Sequence, residues 1–260
     1  MNILTINNKQ MLTKYFFSLI FLFNICFVFS QEKINQFDTN GNRDGLWKGK
    51  YEESNRLRYQ GVFKNGKEIG IFKYFDDTKA GSLIAIRDFS KGDGSCYTIF
   101  YDQKNNVVSE GTLVNKLPEK LWKYYHFEST EIMSLENYKN GKLDGIKKVF
   151  YKNKVLAEQS NYKVGVLDGE YIKNAENGKL IEKSNYKDGD LHGPALFYDG
   201  EGNLVLKGQY KKGIRTGIWE TFENGKVINR ENASKPNNKT FKYIKNEKGQ
   251  MVPTELKEKK

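Results

Sequence analysis

A chain of 260 residues can bury a sizeable core, yet only 38% of this one is hydrophobic while 14% is aromatic, with 24 glycines and 4 prolines. That is too aromatic for a disordered polymer and too rich in glycine for a helical bundle; it fits many short strands joined by glycine turns. A formal charge of +11 suits acidic partners without choosing among nucleic acid, anionic lipid, glycan and protein, and the lysines are spread along the chain as a solvated surface would have them.

From Lys14 the chain reads KYFFSLIFLFNICFVFSQEK: a basic residue, an apolar run from Tyr15 to Phe29, then Ser30 before the polar Gln31. Those regions in that order predict a signal peptide over residues 1–30, cleaved after Ser30, with Met11 as a second candidate start. The run is broken by Asn24 and is shorter than the roughly 20 residues that span a bilayer. Cys26 lacks the small residue that a lipoprotein signal places before its cysteine, so no lipid anchor is expected. Export would leave Cys96 without a disulfide partner, and with no histidine nearby in sequence it reads as a small apolar filler. The expected location is the periplasm, outer envelope or surroundings of a bacterium. Residues 31–39 read as a linker.

Internal repetition dominates the chain from residue 40 onward. YKNGKLDG (Tyr138–Gly145), YKVGVLDG (Tyr162–Gly169), YKDGDLHG (Tyr186–Gly193) and YKKGIRTG (Tyr210–Gly217) recur at a step of 24 residues. Upstream, FKNGKEIG (Phe63–Gly70) keeps the pattern, NRDG (Asn42–Gly45) opens it, and FSKGDG (Phe89–Gly94) shortens it. LVNKLPEK (Leu113–Lys120) has lost both glycines, which predicts a bend there. Eight repeats result, over residues 40–228. Each predicts one hairpin: a strand after the second glycine, such as Pro194–Asp199 or Ile218–Glu223, and a turn at Asn177-Gly178, Asp199-Gly200 or Asn224-Gly225. A second strand comes next, ending on an aromatic, and then a glycine link to the next unit. The link glycines Gly45, Gly66, Gly70, Gly141, Gly145, Gly165, Gly169, Gly189, Gly193, Gly213 and Gly217 are expected to serve the backbone through positive φ.

Two positions beyond the second glycine stand Trp47, Phe72, Trp122, Tyr171 and Trp219, and the second strand closes on Phe63, Phe89, Tyr138, Tyr162, Tyr186 or Tyr210. Small residues two positions before the closing ring, Gly61, Gly111, Ser160, Ser184 and Gly208, share its face and leave room for a ring from the neighbouring hairpin. The rings are expected first as a stacking spine. Trp47, Phe72, Trp122, Tyr171 and Trp219 are also the candidates for contact with a partner.

The run Tyr138–Gly145 and its copies resemble the MORN repeat, in the variant form of bacterial proteins identified as YwqK-family antitoxins, over about residues 40–228. The resemblance implies an all-β, elongated, twisted single-layer antiparallel sheet of about eight stacked MORN-like hairpins, and a role in protein or membrane association. Residues 229–260 fall outside the pattern. Thr240–Glu255 predicts one more hairpin to cap the open sheet edge, with a basic tail after it.

Chemistry is sparse. His126 and His192 are the two histidines, without metal-ligand spacing, and His192 stands where Asp144 and Asp168 stand in the preceding repeats. No phosphate-cradling loop or nucleophile elbow appears. The sequence therefore predicts no catalytic residue, no cofactor and no metal. The expected function is a non-catalytic exported scaffold for an unidentified protein partner, antitoxin-like or in immunity. The alternative is binding of anionic lipid or envelope glycan; nucleic acid is not expected outside the cytoplasm.

Overall fold

Two kinds of turn alternate along the chain and convert the 24-residue repeat into a meander. In the computed structural model, the described residues are 33–234, together with the backbone of 241–245 and 251–255. The expected signal peptide, its Cys26 and the last five residues lie outside them. At each regular link, two consecutive residues have positive φ, as Asn140 (50°) and Gly141 (77°) do. This is the type I′ conformation, whose twist matches that of the strands it joins. The chain reverses within two residues and the next strand starts at once. The second glycine therefore lies inside a strand and not in a connecting link. At Gly145 (φ 104°) the ladder shifts register between Leu143 and Lys147, so a bulge absorbs the extra backbone.

The turns at the far ends of the first seven hairpins each hold one left-handed residue, such as Asn105 (65°) or Gly178 (81°), and the last holds two, Asn224 (49°) and Gly225 (74°). The pair Asp199-Gly200 behaves differently from its expected role. Positive φ falls on Gly202 (83°), because the Asp199 carboxylate accepts from the N–H groups of Glu201 (2.9 Å) and Asn203 (2.8 Å) and winds a longer loop.

Eight hairpins follow the short strand β1 (Gln36–Phe37). They are β2 (Arg43–Lys50) with β3 (Leu57–Lys64), β4 (Lys67–Phe75) with β5 (Leu83–Asp88), β6 (Ser95–Tyr101) with β7 (Val107–Val114), and β8 (Leu117–Tyr125) with β9 (Ile132–Lys139). Then come β10 (Lys142–Phe150) with β11 (Leu156–Lys163), and β12 (Val166–Asn174) with β13 (Leu180–Lys187). The last two are β14 (Asp190–Leu191) and β15 (Gly193–Tyr198) with β16 (Leu204–Lys211), and β17 (Ile214–Glu223) with β18 (Lys226–Asn232). Neighbours in sequence pair antiparallel throughout, giving one open sheet of 18 strands. At about 4.8 Å per strand it extends roughly 80 Å before twist is counted. No helix occurs among the described residues. The sheet begins before residue 40 and runs past residue 228. β19 (Phe241–Lys245) and β20 (Met251–Glu255) pair antiparallel as a sheet of their own.

A single layer has no second layer to cover it, so the core has to be made within one face. Trp47, Phe63 and Phe72 form one cluster, Cys96, Leu113 and Trp122 a second, and Ala195, Tyr210 and Trp219 a third. Phe72, Trp122 and Trp219 each lie over a glycine of the preceding strand. A Cβ at Gly61, Gly111 or Gly208 would stand 2.4, 2.4 or 2.1 Å from a ring atom of Phe72, Trp122 or Trp219. Closing aromatics then meet these rings edge-on, Phe63 against Phe72 at 5.1 Å and Tyr210 against Trp219 at 5.0 Å. The fourth unit forms its link without glycine: Asn115 (51°), Lys116 (67°) and Lys120 (63°) hold the left-handed conformations, and β7, β8 and β9 pair antiparallel with register shifts at Glu110/Thr112 and Tyr124/Tyr125, like those of the regular units.

Candidate interaction face

On the aromatic face the ring-over-glycine pattern stops between β9 and β13. Glu136 occupies the position of the small residue and Lys147, directly opposite, that of the ring. Their charges pair at 3.1 Å with side chains 12% and 25% exposed. The Tyr138 hydroxyl donates to Glu136 Oε2 at 2.5 Å and Ser134 Oγ to its Oε1 at 3.1 Å. Further along, the Tyr171 hydroxyl donates to Glu158 at 3.2 Å and Ser184 Oγ to Glu182 at 2.8 Å. Burial, followed by the neighbouring carboxylate, pushes the Tyr138 and Tyr171 hydroxyls well above the usual tyrosine range and Tyr186 up to about 12. Burial also raises the Glu182 carboxyl. For Lys147, burial alone would lower its pKa, but the hydrogen bond and charge of Glu136 prevail and raise it. This seam is a polar stretch of the spine whose carboxylates are engaged by their own neighbours. Among the described residues no group of three His, Cys, Asp or Glu side chains could hold a metal ion.

The opposite face is more exposed and more ordered. Lys48 lies directly across from Gln60, and Gln60 from Lys73. The same line of opposed pairs continues through Ile86, Ile99, Glu110, Lys123, Leu135 and Lys148. It then runs on through Gln159, Ile172, Lys183, Leu196, Lys207 and Glu220 to Arg230 without a break. Register shifts fall to either side of this line, which is why it stays straight. Seven cations stand in it against two carboxylates. Glu110 pairs with Lys123 at 2.8 Å, Glu220 with Lys207 at 2.7 Å and Arg230 at 2.8 Å, and Glu170 beside the line with Lys183 at 2.7 Å. Hydrogen bonds from Lys207 and Arg230 hold the Glu220 carboxyl below its usual range. Lys48, Lys73 and Lys148 have no acidic partner among the described residues.

Beside the midline, on its link side, lies a row of aliphatic and aromatic side chains. Val62, Ile71, Tyr97, Leu121, Ile146 and Ile218 are between 39% and 54% exposed. In the regular region Asn137, Asn161 and Asn185 lie opposite Leu121, Ile146 and Glu170 and clamp the bulge. Asn137, Asn161 and Asn185 Nδ2 donate to the carbonyls of Ile146 (2.6 Å), Glu170 (2.8 Å) and Pro194 (3.3 Å), each the residue after a second glycine.

The five rings singled out in the sequence fall on the other face. Phe72 is 0%, Trp219 1%, Trp122 3% and Trp47 9% exposed, so these four are filled into the spine; Tyr171 is half-buried, with its hydroxyl on Glu158. The first link glycines bind the units together: Gly141, Gly165, Gly189 and Gly213 N–H donate to Pro118, Leu143, Leu167 and Leu191 carbonyls at 2.7–2.9 Å. The recurring acids do the same, Asp144 accepting from Val164 N–H (3.0 Å) and Asp168 from Asp188 N–H (3.2 Å). His192 N–H donates to the Asn185 carbonyl at 2.8 Å, and His126 Nε2 lies 3.1 Å from the Phe150 carbonyl oxygen. Cys96 is buried against Thr98 at 3.5 Å. Sequence reasoning missed the midline, though it left a signal: Lys48, Lys73, Lys123 and Lys148 each follow the ring position by one residue.

No family model matches the chain, and no curated protein matches it. Among solved structures, it is similar to one described as TcdB2-TccC3, with 11% identity and a TM-score of 0.21 over 85% of this chain. The chain spans 15% of the length of that structure. A protein of unknown function from Bacteroides fragilis is similar over 65% of this chain and 95% of its own, with 11% identity and a TM-score of 0.13.

Proposed function

We propose that this protein is a non-catalytic, exported scaffold that binds an elongated protein partner across the face opposite its aromatic spine. The observation that carries this reading is the exposed aliphatic side chain that follows the second link position in four of the eight units, Ile71, Leu121, Ile146 and Ile218, where Glu170 and Pro194 stand in two others. Aliphatic groups aligned in this way mark an interaction surface, because scattered exposure would not repeat at the step of the fold. The MORN-like repeats, and the basic, apolar and small regions before Gln31, support a scaffold working outside the cytoplasm. An antitoxin-like or immunity role is the case in which the partner is an incoming toxin.

The test pairs Leu121→Asp with Ile146→Asp and compares co-purification from envelope extract with the parent chain. A double control, Val164→Asp with Ile214→Asp, places the same two charges on exposed aliphatics at link turns, away from the row. Expected is loss of a specific protein from the Leu121 and Ile146 variant alone, with both variants folded by circular dichroism. Retention of that protein by the Leu121 and Ile146 variant refutes the reading.

A further inference from the structure

We infer that the midline of this face selects an acidic amphipathic polypeptide segment lying across the strands. This rests on the scaffold reading and adds the chemistry of the partner. Seven cations, of which Lys48, Lys73 and Lys148 have no acidic partner among the described residues, share one continuous line with Ile86, Ile99, Leu135, Ile172 and Leu196, and further exposed aliphatics lie beside it. The complement of that pattern is a segment carrying carboxylates interleaved with apolar side chains.

Other polyanions fit less well. Single-stranded nucleic acid gains affinity by stacking bases on aromatic rings, and the tryptophans of this sheet are buried on the opposite face. Duplex nucleic acid and sulfated glycans bring no aliphatic groups to the positions between the lysines. Glu110 and Glu220 are held by Lys123, Lys207 and Arg230, so the line is net cationic and an anionic bilayer is the competing surface, which the vesicle arm of the test decides. A polypeptide brings carboxylates to the lysines and apolar side chains to the aliphatics between them.

The probes are a synthetic peptide alternating Glu and Leu, its counterpart with Ser for Leu, a DNA duplex and phosphatidylglycerol vesicles. Binding to the full chain is measured across a salt series. The Glu–Leu peptide is expected to bind most tightly and to weaken as salt rises. The triple variant Lys48→Gln, Lys73→Gln, Lys148→Gln is expected to bind it about tenfold less tightly, as the sum of three partly exposed ion pairs. The charge-matched triple Lys139→Gln, Lys163→Gln, Lys187→Gln removes exposed lysines of the link edge and is expected to change binding by less than about twofold. Equal losses in the two triples would reduce the effect to net charge and overturn the inference. So would equal affinity for the Glu–Ser peptide, or tighter binding of duplex or vesicles. If the co-purifying protein depends on Leu121 and Ile146 while the peptide ignores the midline lysines, the scaffold reading stands and this one falls.

Discussion

Gly208 and Trp219 show what a single residue does in a one-layer sheet. With a Cβ only 2.1 Å from the indole, alanine at 208 lifts the ring out of its place. Gly208→Ala is expected to cost about 1–3 kcal/mol by overpacking, read as a lower denaturant midpoint at unchanged slope. Glu182 carries a different signature. Burial raises its carboxyl in the folded chain, so the fold holds that proton more tightly than the unfolded chain does. Its contribution is fully present below the unfolded value and is lost as pH rises through the folded one. Glu182→Gln is therefore expected to raise the melting temperature at neutral pH, with the gain vanishing below about pH 4, the range of an ordinary glutamate. A gain that persists in acid would mean the carboxylate's charge is not its cause.

Hairpins and their links are stabilised by devices that repeat with them. Asn161 satisfies the Glu170 carbonyl at the bulge by a 2.8 Å hydrogen bond, and Asn161→Ala should cost about 1 kcal/mol in chemical denaturation. The fourth link has the opposite imbalance. Lys116 holds φ at 67° where the regular links have glycine, a conformation that costs an L-residue about 1–2 kcal/mol. Lys116→Gly is expected to stabilise the chain by roughly 1 kcal/mol, less than the full strain because glycine also gains freedom in the unfolded state. A destabilised variant would show that the lysine side chain contributes more than its backbone strain removes.

Across the whole molecule, contacts run from each hairpin to the next, so stability should add up along the array. Removing residues 163–186 excises one 24-residue step and joins Tyr162 to Lys187 in the same register. The shortened chain is expected to fold with a denaturant slope lower by roughly one eighth, since the slope follows the surface exposed on unfolding. Loss of cooperative unfolding would contradict a modular sheet. Binding to the partner should fall by stages as units are removed, because the exposed rows recur in several units.

The sequence by itself determined the repeat, its step, the hairpin order and the positions of the spine rings. All of these derive from local chemistry: positive-φ pairs at tight turns, and side chains two residues apart sharing a face. Tertiary structure decided the rest. Whether Gly145 turned the chain or bulged a strand depended on where the type I′ reversal closed. Glu136 and Lys147 lie eleven residues apart in sequence, and only the register made them a pair that replaces glycine and ring. The lysines of the midline read as scattered because their alignment depends on every register shift between Lys48 and Arg230. Pairing across strands is long-range information, and it turned a dispersed basic composition into one continuous line on one face.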